Sequence, residues 1–357
     1  MFNRLNILAL IICLSSYVSW ANDGVFYAIG NTLIPLEETK VELVKEILIL
    51  EQQNSSRYMN VSVYFEFNNP DNEIERIVGF VTPPSTASLY NTDINHPEIN
   101  NFTVIVNDEV LDYKVAKIDS TNFKSTQGKL NGNDFIFYFK VRFKKGLNII
   151  QHTYNYQGSG VADISNPGPF YSYRLTTGKL WANKQIDDFE LQIKMSADSY
   201  FTVPLSFTND EIVNWEIIGS GNIGKVSPGK SKKRNIRLIS GYLVYKTQNF
   251  KPSTDLRIER ISPYSQIQDF KDIYYRGMYS NPRELKDLSA EDLRLLRNSF
   301  FAVHSYLFKS KDLSDYFSLF DWYIPNPERN SEEILFNEWE ERLLQQVLLE
   351  ESDRNHK

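Results

Sequence analysis

The sequence predicts an α+β protein in which a β-sandwich-like amino-terminal body, long enough for two stacked β-modules, precedes a small three-helix carboxy-terminal domain. Three patterns carry that expectation. Val61, Val63, Phe65 and Phe67 alternate with Ser62, Tyr64 and Glu66, the period of a strand with one buried face. Phe135, Phe137, Phe139, Val141 and Phe143 repeat the alternation against Ile136, Tyr138, Lys140 and Arg142, and Lys145-Gly146 closes the run as a turn. Late in the chain the period changes: Leu293, Leu296, Phe300, Val303 and Leu307 recur at three- and four-residue steps. The expected divisions are a signal peptide at 1–21, a β-rich domain at 22–262, a linker at 263–282 and a helical domain at 283–357.

The first segment has Arg4, an apolar run over 7–14 and a Ser19-Trp20-Ala21 ending, the layout of a secretory signal. Cleavage is expected after Ala21, leaving Asn22 at the new amino terminus and a periplasmic or extracellular product. The run is shorter than the ~20 apolar residues a spanning helix needs. The single cysteine of the chain, Cys13, would leave with the signal, and Ile11 and Ile12 before it do not suit a lipid anchor. A mature chain without cysteine has neither disulfides nor thiolate chemistry. Its stability must come from burial, and 21 Tyr with 23 Phe supply the apolar area.

Further strands are expected at 102–106, 147–156, 189–195, 213–218 and 236–245, separated by Gly, Pro, Asn and Asp clusters. The stretch 171–181 reads as strand, turn and a buried Trp181 anchor. A net charge of -6 argues against a nucleic-acid partner. The basic run Lys230, Lys232, Lys233, Arg234 and Arg237 reads as a solvated turn between strands, or else as a contact for an anionic envelope polymer.

Gly219, Gly221 and Gly224 satisfy the Gly-x-Gly-x-x-Gly spacing of nucleotide sites, but Pro228 and Gly229 follow where a helix N-terminus is required. Val226 also stands where a P-loop needs Ser or Thr. A glycine-rich hairpin is expected, with no nucleotide. His96, His152, His304 and His356 are too scattered for a metal site, and no serine-hydrolase elbow occurs. Glu37-Glu38 and Asp187-Asp188 are sequence neighbours, which on a strand point to opposite faces. No catalytic residue, cofactor or metal is expected.

Two resemblances add to this reading. Asn22-Asp23-Gly24, the stretches 41–49 and 63–69, and Gly79-Phe80-Val81-Thr82-Pro83-Pro84 resemble the opening of a family of secreted bacterial β proteins of unknown function, which implies an exported β-domain. In the last part, Ser289 is an expected N-cap for a first helix, Ser310 or Lys311 opens a second, and a third spans about 331–350 with a stripe of Phe336, Trp339, Leu343 and Val347. The run 293–308, then Leu313, Tyr316-Phe317 and Trp322-Tyr323-Ile324-Pro325, resembles the YARHG domain of bacterial envelope and secreted proteins. The motif that names the family reads Tyr-Ala-Arg-His-Gly, whereas these positions hold Phe301, Ala302, Val303, His304 and Ser305.

The resemblance implies a module of the cell envelope that binds cell-wall material. Trp322 and Tyr323 are the expected ligand contacts, as loop aromatics able to stack on sugars, the structural alternative being a Trp before a Pro-rich turn that plugs the small helical core. His304, Arg297 and Asn298 are the further binding candidates, each with a structural alternative: a buried hydrogen bond near Trp322 for His304, and support of the Trp322-Tyr323 loop for Arg297 and Asn298. The expected function is a non-catalytic envelope binding or assembly protein, with peptidoglycan, another envelope polymer or an envelope protein as partner. The alternatives are an extracytoplasmic hydrolase of glycan or peptide built from dispersed carboxylates, and a structural protein-interaction factor.

Overall fold

A computed structural model describes residues 32–36, 39–52, 57–83, 96–122, 134–160, 168–208, 211–225 and 232–356. The signal segment with Cys13, Ala21 and Asn22, the Glu37-Glu38 pair, Val226, Pro228, Gly229 and Lys230 lie outside the described residues.

The strands, in chain order, are β1 (Thr32–Pro35), β2 (Glu42–Gln52), β3 (Tyr58–Asn69), β4 (Ile74–Thr82), β5 (Ile99–Val106), β6 (Glu109–Val110), β7 (Lys114–Lys117), β8 (Phe135–Phe143), β9 (Gly146–Gln157), β10 (Phe170–Tyr173), β11 (Ile186–Lys194), β12 (Ser199–Pro204), β13 (Glu216–Ile223), β14 (Lys233–Phe250) and β15 (Leu256–Arg260). A four-stranded sheet in the order β1-β4-β8-β7 stacks on one half of an eleven-stranded sheet. Across that stack Phe80 of β4 meets Phe102 of β5 and Tyr154 of β9, each at 5.0 Å between ring centroids. The sandwich-like body is therefore real, and each interior phenylalanine contributes roughly 2–3 kcal/mol of burial.

The strand over Phe135–Phe143 has the expected bounds, yet its outward face is not all solvated. Ile136 is fully buried because Ile34, Leu36, Val81 and Ile118 cover it from outside the sandwich. Trp181 is buried against Phe67 at 4.3 Å, as the anchor reading anticipates.

The large sheet is organised by β14. Along one edge β11 and β12 run end to end: Ile186 faces Phe250 and Ile193 faces Leu243, then Ser199 faces Leu238 and Pro204 faces Lys233. On their far side β11 takes β2 in parallel, while β12 takes β15. Two half-sheets thus fan out from one shared strand pair.

The glycine-rich stretch lies in β13, on the other edge of β14, where Gly219 pairs with Gly241 and a bulge follows Ser220. Side chains are excluded there by contact: a Cβ on Gly241 would lie 1.9 Å from the Ile218 carbonyl oxygen, and one on Gly219 2.4 Å from that of Ser240. The strand expected at 213–218 starts only at Glu216, because Val213 and Trp215 are buried from an irregular segment, with Trp215 Nε1 donating to the Pro204 carbonyl at 3.0 Å. From Lys233 onward the basic run is strand rather than turn. Lys233 pairs with Glu259, and Arg237 is buried.

The helical part comprises α1 (Lys271–Tyr274), α2 (Ala290–Val303), α3 (Lys311–Phe317) and α4 (Glu338–Asn355) among the described residues. Ser289 caps α2 by accepting from the Asp292 amide at 3.0 Å, while Asp292 reaches back to Ser289. Asn337 rather than Ser331 caps the last helix; 331–333 is a separate short turn. Leu293, Leu296 and Phe300 form the buried stripe of α2, but the helix stops at Val303, so Leu307 leaves the phase and is exposed. The first half of the stretch expected to link the two parts is itself packed, whereas 276–281 is exposed. Tyr264, Ile267, Phe270, Ile273 and Tyr274 on its short helical turns are all buried in the helical core.

Candidate functional site

Where α2 ends, His304 closes the helix and Ser305 adopts φ +63°, the left-handed region that glycine enters freely and other residues seldom do. Ser305 is buried, and its carbonyl accepts from the Asn326 amide at 2.8 Å. Tyr323 Oη donates to the Tyr306 carbonyl at 2.8 Å, so the turn after α2 is latched to the loop after α3.

This latch accounts for Trp322 and Tyr323, which the structure places in the interior. Trp322 is 1% exposed and stacks on Phe320 at 5.3 Å; Tyr323 is 6% exposed and tilts against Phe317 and Phe308. Neither ring offers a face to a glycan. Arg297 pairs with Glu351 at 2.7 Å, tying α2 to α4, and Asn298 donates to the Arg294 carbonyl one turn back in its own helix. Neither supports the Trp322-Tyr323 loop. Asp187 and Asp188 are likewise occupied, the first by Asn183 and Gln185 and the second by Lys45.

Of the five, His304 lines the large cleft. A cleft of about 750 Å³ runs between the β-body and the helices, with Asp198, Tyr200, Arg237 and Arg260 on the body side and Val303, His304, Arg329, Ile334, Leu335 and Trp339 on the helical side. His304 Nε2 lies 3.2 Å from Glu340 Oε2, which also accepts from the Asn337 amide, while Tyr264 Oη donates to Oε1 at 2.8 Å. Burial pushes the Glu340 carboxyl up, but the partners His304, Asn337 and Tyr264 outweigh it and hold it below its ordinary value.

On the opposite wall Arg237 Nη1 donates to the Asp198 carbonyl at 2.6 Å, and Nη2 donates to Ser305 Oγ at 3.4 Å. The Asp198 carboxylate lies 3.6 Å from Arg237 and 3.5 Å from Arg329, bridging the two guanidinium groups. Nearby, Asn222 of the glycine-rich strand donates to the Asp321 carbonyl at 2.8 Å, and the Lys225 amide donates to the Asp321 carboxylate. The helical part is thus docked on β13, β14 and the turn before β12 by polar contacts that the periodicity of the chain does not reveal.

The aromatic core of the helices, the latched turn at His304-Ser305 and the closing Trp322-Tyr323 loop lie within one segment that matches a known family. Residues 271–349 match the YARHG domain family. YARHG domains are typical of secreted proteins. Among curated proteins no sequence matches this chain.

Over the whole fold, a Legionella pneumophila structure described as a "putative nutrient binding protein" aligns with 90% of this chain and 97% of its own at 22% identity, with a TM-score of 0.62. At that identity the likeness shows the fold, over the β-rich body and the helical part alike. Yeast LTA4 hydrolase aligns with 58% of this chain and 29% of its own (8% identity, TM-score 0.27), and an M1 zinc metallopeptidase from Deinococcus radiodurans with 63% and 43% (8%, 0.26). Scores that low carry no argument about this chain. Among the described residues no group of three or more His, Cys, Asp or Glu side chains is arranged to hold a metal ion, and no helix is long and apolar enough to cross a membrane.

Proposed function

We propose that this is an exported, non-catalytic binding protein of the cell envelope, and that its ligand sits in the cleft between the β-body and the YARHG domain. The observation that carries the reading is the cleft itself: about 750 Å³, within the range of small-molecule sites, with both parts of the chain in its walls. Apolar Ile334, Leu335 and Trp339 face guanidinium groups across it, the mixture of apolar wall and few placed polar groups typical of ligand sites. The nutrient-binding description of the Legionella protein, which shares the fold, agrees with this. Export through a signal removed after Ala21 is part of the same proposal. So is the division into a β-domain and a helical domain.

The non-catalytic reading is supported by Glu340, whose oxygens are occupied by Tyr264, Asn337 and His304. Fragments of peptidoglycan or another envelope glycan are the ligand class the domain family suggests, with Trp339 of the cleft, rather than Trp322, as the stacking ring. The test is fluorescence titration of the whole chain with soluble peptidoglycan fragments and a panel of small metabolites. At least one should shift tryptophan emission, and Trp339→Phe should remove the shift. A response that persists in Trp339→Phe, or no response to any ligand, would overturn the cleft assignment.

A further inference from the structure

We infer that the cleft takes an amphipathic monocarboxylate, its anionic end at Arg237 and Arg329 and its apolar body along Ile334, Leu335 and Trp339. The inference rests on the cleft being the ligand seat and adds the class of ligand. It starts from the charge balance around Asp198, where the two walls meet. Arg237 and Arg329 approach a single carboxylate, Asp198, at 3.6 and 3.5 Å, so one positive charge is left over in that group of three. The Arg237 side chain is only 4% exposed, and the Nε atoms of both arginines are buried with no hydrogen-bond partner among the described residues.

A buried guanidinium with an unused donor is costly, because it has lost water without gaining an acceptor. A carboxylate is the acceptor that a guanidinium fork fits, and the one charge left over beside Asp198 matches one carboxylate, with Arg260 of the same cleft adding to the positive potential. The other carboxylates of the cleft do not remove that surplus. Glu340 is engaged by His304 and Tyr264, and Glu333 is exposed at the rim.

The apolar half of the ligand follows from the helical wall. Leu335 is 88% exposed while Ile334 beside it is buried, so an apolar surface runs from the interior to the mouth. A ligand body lying there would cover a side chain that otherwise stands in water.

Calorimetric titration of the whole chain with N-acetyl-leucine and with its uncharged amide, N-acetyl-leucinamide, tests this. The acid should bind at least ten-fold more tightly, and Arg329→Gln should abolish the preference while the thermal midpoint stays near that of the parent. Arg329 is chosen because Arg237 is so deeply buried that its replacement risks unfolding. Equal binding of acid and amide would overturn the inference and leave the cleft assignment standing, as would failure of both probes while other compounds still shift the Trp339 signal. Silence toward every compound would overturn both.

Discussion

Arg237 and Ser305, 68 residues apart, meet at 3.4 Å between Nη2 and Oγ. The first belongs to the strand that organises the large sheet and the second to the turn that names the YARHG motif, so the contact joins the two parts of the chain beside the cleft. Ser305 has the conformation of a glycine and the hydrogen bond of a serine. The left-handed backbone costs about 1–2 kcal/mol for a residue with a Cβ, and the long contact to a charged donor returns part of it.

Ser305→Gly therefore removes strain and a weak hydrogen bond together. The expected net effect is a gain of about 0.5–1 kcal/mol, because glycine enters the left-handed region freely. Urea unfolding at neutral pH measures it. A loss of stability would mean that the Arg237 contact outweighs the strain.

The glycine pair of the hairpin is a second test. Gly241 has φ +85° and no room for a Cβ against Ile218. Gly241→Ala is expected to lower stability by at least about 2 kcal/mol, the range of strained backbone positions. Gly146 offers the control: at the same φ of +85° it has nothing within 4 Å of its Cβ position, so Gly146→Ala should cost about 1–2 kcal/mol from conformation alone.

Two buried carboxyls give the body a pH dependence. Burial pushes Glu46 up to about 8 in spite of the hydrogen bond from Tyr173, and burial pushes Glu98 up to about 8. Both are neutral in the folded protein at pH 6, while the unfolded chain has released those protons. Their stabilising effect is full below about pH 4 and is lost as pH rises from there through 8. Burial lowers His152 to about 3, so its effect runs the other way and is lost as pH falls from 6.5 towards 3. Glu46→Gln should therefore raise the thermal midpoint at pH 8 by several degrees and change it far less at pH 5. Equal shifts at both pH values would show that Glu46 does not titrate as described.

At the cleft the sign is opposite. Glu340 is held below its ordinary value by partners that favour the carboxylate, so its contribution is present at neutral pH and lost as pH falls through its folded value. Glu340→Gln is expected to cost about 1–3 kcal/mol at pH 7, where hydrogen bonds to the charged group are lost. The cost should shrink as pH falls through that folded value, where the native carboxyl also becomes neutral. Thermal unfolding across that range provides the measurement.

Much of the fold was legible because its signals are local. The alternation over Phe135–Phe143, the Ser289 cap and the Leu293-Leu296-Phe300 stripe each depend on neighbours within a few residues. The strands β12 and β15 were not anticipated. Ser199–Pro204 is buried at every position but the last, and such a segment has no alternation to detect. The stretch 263–282 reads as a linker because its Pro, Ser and Asn content suggests a loop, although Tyr264, Ile267, Phe270 and Tyr274 bury their side chains from single helical turns.

The site shows the same division more sharply. Trp322 and Tyr323 stand out as loop aromatics in the sequence, but the fold closes over them, and only His304 of the five candidates reaches the cleft. Arg237 and Trp339 carried no signal of their own: one sat in a basic run and the other in an amphipathic stripe. The sequence by itself determined that the chain has an aromatic β-body and a YARHG-like helical end, because periodicity, caps and motif spacing are properties of short segments. Only the tertiary structure decided where a ligand could sit, because Asp198, Arg237, His304, Arg329 and Trp339 become one surface when the helices dock on β12 and β14, and charge balance across such a surface exists only in three dimensions.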